Sequence, residues 1–166
     1  MNRTLTAGSN GIKGKQHKLT VLHQNICSLN ICSLKHKTTD LEVLLSTELK
    51  HVELLCLTEH WQNDQTIRCV NICNFKMVSA FCRRSSNHGG AGIYVKDGLI
   101  TREISLFTDI CEEKNFEMSL IKLPMYKLNI VCIYRSPDGQ LEKFKKKTRS
   151  SYPKTFKQKQ NLPTLW

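Results

Sequence analysis

Six apolar runs of strand length, each ending in polar or glycine residues, set what this chain can fold into. They cover 19–25, 52–57, 75–81, 93–95, 116–123 and 128–134. Between the first two lies a helical pattern. Leu41, Leu44, Leu45 and Leu49 share one face at helical spacing. Thr39 is the expected N-cap, Asp40 suits the positive helix start, and Lys50 and His51 close the pattern. Strand, helix, strand makes a β-α-β unit, so the expected class is α/β.

The later runs predict a hairpin, 116–123 with 128–134, joined by Pro124-Met-Tyr-Lys127. Pro137-Asp138-Gly139 then breaks the chain. Leu141 and Phe144 hint at one more helix, but periodicity dissolves into KKKTRSSYPKTFKQKQ. This tail reads as diverged or out-of-frame sequence. A direct repeat, Asn25-Ile-Cys-Ser-Leu29 and Asn30-Ile-Cys-Ser-Leu34, reads as a small duplication inserted in a loop, because five residues are too few for a solenoid unit.

With 166 residues the chain has the size of one domain with a real core. Its net charge of +11 is confined to its ends, +4 over residues 1–20 and +7 over 140–166, with the middle neutral. Basic ends can attract nucleic acid through counterion release, or remain solvated because like charges repel. No run reaches the ~18 apolar residues of a membrane span, and the start shows no apolar signal core. The expected location is therefore nuclear or cytoplasmic, with no membrane partner. The eight cysteines are then expected as reduced thiols. Cys69, Cys73, Cys82 and His88 have spacings that match no common zinc finger, and no C-x-x-C pair occurs.

Two residues follow predicted strands directly, Asn25 and Glu59. Open α/β sheets collect ligands at that edge. A hard cation such as Mg²⁺ is often held by one or two carboxylates plus phosphate and water, so Glu59 is a candidate ligand and Asn25 its companion. A helix cap or surface charge is the plainer reading of Glu59, and a turn residue that of Asn25. The loop Gly89-Gly90-Ala91-Gly92 could bring backbone N–H groups to a phosphate, but lacks the P-loop Lys and precedes a strand, which favours a tight turn. Tyr134 and Arg135 can donate to phosphate oxygens, or simply pack at a sheet end.

In order, "LTVLHQNICSL", "LLCLTEHW", "HGGAGIYVK", "FEMSLIKL" and "IVCIYRSPDG" resemble the N-terminal half of the endonuclease/exonuclease/phosphatase superfamily. The likeness is strongest to the apurinic-type endonuclease domain of insect non-LTR retrotransposons. It implies the N-terminal part of a two-sheet α/β sandwich, DNase I-like, with its second half missing. The domain reading is a basic leader at 1–17, a partial endonuclease domain at 18–144 and a basic tail at 145–166. The implied activity is Mg²⁺-dependent hydrolysis of DNA phosphodiesters, nicking a target to prime reverse transcription. By the same resemblance Glu59 is the metal ligand, Asn25 lies beside the metal, and Tyr134 contacts the scissile phosphate. Asn30 competes with Asn25, which is preferred because it follows the predicted strand directly. Arg135 stands close to where the family often carries Asn. With Lys145, Lys146 and Lys147 it is a candidate nucleic-acid contact.

The family also uses a Gly-Asp-x-Asn block, a later Asp and a terminal Ser-Asp-His. Beyond Tyr134 this sequence has one Asp, Asp138, and no His. General acid–base groups are worth about 10²–10⁴ in rate each. The expectation is thus a truncated fragment with little activity, and the alternative is a non-catalytic nucleic-acid binder using its basic ends.

Overall fold

The structure, a computed structural model, describes residues 26–86, 88–104 and 109–151. It is a mixed α/β architecture with two sheets. The elements are β1 (Ile26–Asn30), α1 (Thr38–Ser46), β2 (Leu54–Thr58), β3 (Phe75–Phe81), β4 (Ala91–Lys96), β5 (Arg102–Glu103), β6 (Glu117–Leu123), β7 (Leu128–Tyr134) and α2 (Leu141–Ser151). The first sheet has the order β1-β2-β4-β3 and the second β5-β6-β7. Strands β1 and β2 are parallel across α1, as a β-α-β unit requires, and every other pairing is antiparallel.

Strand β2 explains the arrangement. Its run Leu54-Leu-Cys-Leu57 is buried throughout because both faces are covered. Leu55 and Leu57 face a core with Leu41 and Leu45 of α1, Leu34 and Tyr94. Leu54 and Cys56 face a second core with Ile93 and Val95 of β4, Ile121 and Leu123 of β6 and Cys132 of β7. The second core thus lies between the two sheets. Ser119 of β6 stitches them by polar bonds as well, donating to Ala91 O (2.5 Å) and accepting from Phe81 N–H (3.2 Å).

Three local expectations change, while the strand expected over 19–25 lies outside the described residues. The repeat is not an inserted loop, since residues 26–29 of its first copy are strand and its second copy is the turn leading to α1. One pentapeptide adopts two conformations because the first is paired along β2, whereas Cys32 and Ser33 in the second swing to φ of +43° and +82°. Helix α1 begins before Thr39, with Lys37 at the N-cap position and Thr38 Oγ1 donating to Leu34 O. It also ends early, at Ser46, where the hydroxyls of Ser46 and Thr47 both donate to Val43 O.

The tail's basic run continues a helix. Phe144 of α2 packs on Phe116, with ring centroids 5.8 Å apart. Lys143 and Lys147 reach Glu112, at 2.9 and 3.2 Å, and Lys147 Nζ also donates to Ile110 O. Among the described residues no helix is long and apolar enough to cross a membrane.

Candidate functional site

The parallel pair β1 and β2 ends at one rim, with Asn30 opposite Thr58. The antiparallel neighbour β4 begins there, Ala91 opposite Thr58, and in the second sheet β7 ends beside Glu117 at Tyr134. Three strand ends therefore converge on Glu59. Asn30 Nδ2 donates to Glu59 Oε1 at 2.9 Å, and the Tyr134 hydroxyl donates to the same oxygen at 2.7 Å. The Cys32 thiol donates to Glu59 Oε2 at 3.3 Å and also lies 3.2 Å from Asn30 Oδ1.

The backbone here is held in unusual conformations. Glu59 and Trp61 have φ of +55° and +57°, and Cys32 and Ser33 are also left-handed. Such conformations cost about 1–3 kcal/mol each and persist only where the surroundings enforce them. The enforcement is a two-sided clamp. Ile31, Ser33 and Leu34 donate their N–H groups to the carbonyls of Thr58, Glu59 and His60. On the other side Glu59 N–H donates to Gly90 O, and Trp61 N–H to Gly89 O.

The Gly89-Gly90 pair thus supplies one side of the clamp. Both glycines have positive φ. A Cβ on Gly89 would sit 2.2 Å from the Arg83 guanidinium, and one on Gly90 2.4 Å from the His60 ring. Gly90 N–H is spent inside the protein, on Glu117 Oε2 at 2.6 Å. Glu117 is fully buried and pairs with buried Arg83 at 2.6 Å, while its Oε1 also accepts from Lys114 N–H. This ion pair ties the glycine loop of the first sheet to β6 of the second. Removing one partner of such a pair typically costs about 3–5 kcal/mol, because the other charge is left buried.

The electrostatics follow from these bonds. Burial pushes the Glu59 carboxyl up, but hydrogen bonds from Asn30, Tyr134 and Cys32 and the nearby Trp61 indole outweigh it, so the group sits below its ordinary value. The Trp61 Nε1 atom is itself buried and makes no hydrogen bond of good geometry. Burial, then the Glu59 carboxylate, pushes Tyr134 up to about 12, so it stays a donor. The bond to Glu59 is also the largest cause raising the Cys32 thiol. Burial lowers His60 to about 4. Its neutral ring accepts from Gln62 N–H at Nδ1 (3.1 Å), which leaves Nε2–H to donate to Phe81 O (3.0 Å).

Of the residues singled out in the sequence, Glu59 and Tyr134 come together. Asn25 lies outside the described residues, and the amide on Glu59 is Asn30. Because residues 26–29 of the first repeat copy are spent on β1, the second copy's Asn takes the strand end. Arg135 turns back instead, its guanidinium donating to the carbonyls of Ser136, Pro137 and Gly139 around the turn before α2. Lys145 pairs with Glu142 at 2.8 Å, Lys147 with Glu112, and Lys146 is exposed. Among the described residues no group of three or more His, Cys, Asp or Glu side chains comes together as a metal site would. Sequence reasoning missed Cys32, Arg83 and Glu117. The signal for Glu117 was an acidic residue inside the apolar run FEMSLIKL. A scan against protein-family models finds no match to the chain, and a search of curated proteins finds none.

Proposed function

We propose that Glu59, Asn30 and Tyr134 form the cation-and-phosphate half of a metal-assisted phosphodiesterase site acting on DNA. The corresponding fold is a DNase I-like sandwich of the endonuclease/exonuclease/phosphatase type, in the branch found in non-LTR retrotransposons. The supporting observation is the convergence of two side chains, Asn30 from β1 and Tyr134 from β7, on one oxygen of the carboxylate that follows β2. That carboxylate rests on strained backbone clamped from both sides, a costly arrangement of the kind concentrated at functional sites.

The donors suit Mg²⁺. Glu59 Oε1 is held by an amide and a phenol, whereas Oε2 meets only a thiol, a weak donor that a hard cation displaces at little cost. A single carboxylate suffices where phosphate and water complete the shell. An ion held there supplies charge to a phosphate and acidifies a bound water. Tyr134, whose one O–H is donated to Glu59 Oε1, would hold the carboxylate in place and would reach a phosphate oxygen only by exchanging that bond. Among the described residues no imidazole or second carboxylate joins Glu59, so nicking is expected to fall short of a complete site by about 10²–10⁴.

Metal binding is therefore the primary test. Mn²⁺ bound to the protein, read by water-proton relaxation, should weaken at least tenfold in Glu59→Gln and fall in Asn30→Ala. Any slow nicking of supercoiled plasmid in Mg²⁺ should vanish in Glu59→Gln. Mn²⁺ binding indifferent to both substitutions sinks the reading.

A further inference from the structure

Beside the Glu59 rim lies a cavity of about 260 Å³, lined in part by Lys35, His36, Trp61, Gln62, Asn63 and His88. We propose that it is a nucleobase subsite, taking one unpaired base of a DNA strand and the phosphate attached to it. The inference rests on the phosphodiesterase reading only for its choice of nucleic acid as ligand.

Size comes first. Drug-sized ligands occupy about 300–1,000 Å³, so this cavity suits a single ring system. Its wall offers ring contacts. The rings of Trp61 and His88 both line it and pack on each other, 4.4 Å apart at 58°. Trp61 is no casual surface residue. Two residues beyond Glu59, its left-handed backbone is pinned to Gly89 O, and its ring lines the cavity. The tryptophan thus links the Glu59 segment to the cavity.

Charge selects the guest. Two other cavities include carboxylates, Asp64 and Glu103 in one and Glu42 in another. The cavity at Trp61 is lined by none and carries exposed Lys35 and His36. An anionic guest therefore meets no carboxylate in this lining, whereas the other two cavities set Arg68 and Lys76, or Lys50 and Lys96, beside theirs. Asn63 spends its side-chain carbonyl on the N–H groups of Gln65 and Thr66, which fixes the amide and leaves its NH₂ to donate to a base edge.

The test uses Trp61 as its own reporter. The chain has two tryptophans, Trp61 and Trp166, so the full chain carrying Trp166→Phe emits from Trp61 alone. It is titrated, in EDTA, with a short oligothymidylate and with an abasic sugar-phosphate strand of equal length. Quenching by the strand with bases is expected at roughly tenfold lower concentration, the scale of one base–aromatic stack. His88→Ala should erase that difference, and Lys35→Gln should weaken both strands. Should His88→Ala lower the melting temperature, a His88→Phe variant, which keeps a ring, must retain the preference. Equal quenching by both strands overturns the subsite. Because the titrations are run in EDTA, base preference is read without any metal at Glu59. A failed Mn²⁺ test with preserved base preference would therefore remove the metal reading alone.

Discussion

At the scale of single residues, His60 is the most informative titrating group. Its ring is fully buried beneath Gly90 and held neutral at about 4, against 6.5 for an ordinary histidine. The unfolded chain takes up a proton as pH falls below 6.5, and the folded chain does so only near 4. Between those values the unfolded state binds more protons, so stability falls with falling pH, by about 3 kcal/mol across the window. Glu59 acts separately. Its folded pKa is depressed, so its contribution is present above the ordinary carboxylate range and is lost at still lower pH. Thermal midpoints measured from pH 7 to 4.5 should therefore decline in the parent chain. His60→Gln should be less stable at pH 7 but flatter across that interval. A slope unchanged by the substitution would mean that His60 does not titrate as its burial demands.

At the scale of elements, the glycine loop decides whether the Glu59 segment keeps its conformation. Gly90 and Gly98 both have positive φ, +95° and +89°, so alanine is strained at either. They differ in space. A Cβ at Gly90 runs into the His60 ring at 2.4 Å, while one at Gly98 meets nothing within 4 Å. Gly98→Ala should cost about 1–2 kcal/mol, and Gly90→Ala more by a further 1–3 kcal/mol of overpacking. Only Gly90→Ala should weaken Mn²⁺ binding, because only that loop anchors Glu59 N–H. Urea melts and relaxation titrations on the two variants make the comparison. The contrast also shows what a sequence can carry. Alternating and continuous apolar runs made β2, β6 and β7 legible, and the helical leucine spacing made α1 legible. Glu59 and Tyr134 were legible as polar residues at strand ends. Which Asn reaches Glu59 was not. Two identical pentapeptides differ only in their partners, one paired along β2 and one turning back over the Glu59 segment. The Arg83–Glu117 pair was hidden for the same reason, its members standing 34 residues apart.

At the scale of the whole molecule, the charge excess becomes specific once α2 is in place. The sequence assigns +7 to residues 140–166, yet within α2 the lysines are not equivalent. Lys143 and Lys147 are committed to Glu112, and Phe144 to Phe116, so these residues dock the helix. Lys145, Lys146 and Arg149 are exposed, and Lys145 pairs with Glu142. This separation explains why the run KFKKKTRSS is a helix although its polar character hid the fact. Its hydrophobic contribution is little more than one phenylalanine, and ion pairs supply part of the rest. It also directs an experiment that removal of the whole segment would spoil, since deleting α2 would uncover Phe116. Changing Lys145, Lys146 and Arg149 together to Gln removes three charges while leaving the docking residues. Each phosphate neutralised contributes about 0.9 to the slope of log affinity against log salt. If this face meets DNA, the slope should therefore shrink by about 2 to 3, with the thermal midpoint nearly unchanged. Fluorescence anisotropy with a short duplex over 50–200 mM salt (a range of roughly 10³ or more in affinity for multi-phosphate contacts) reads it directly. An unaltered slope would exclude these three side chains of α2 from the proposed nucleic-acid contact.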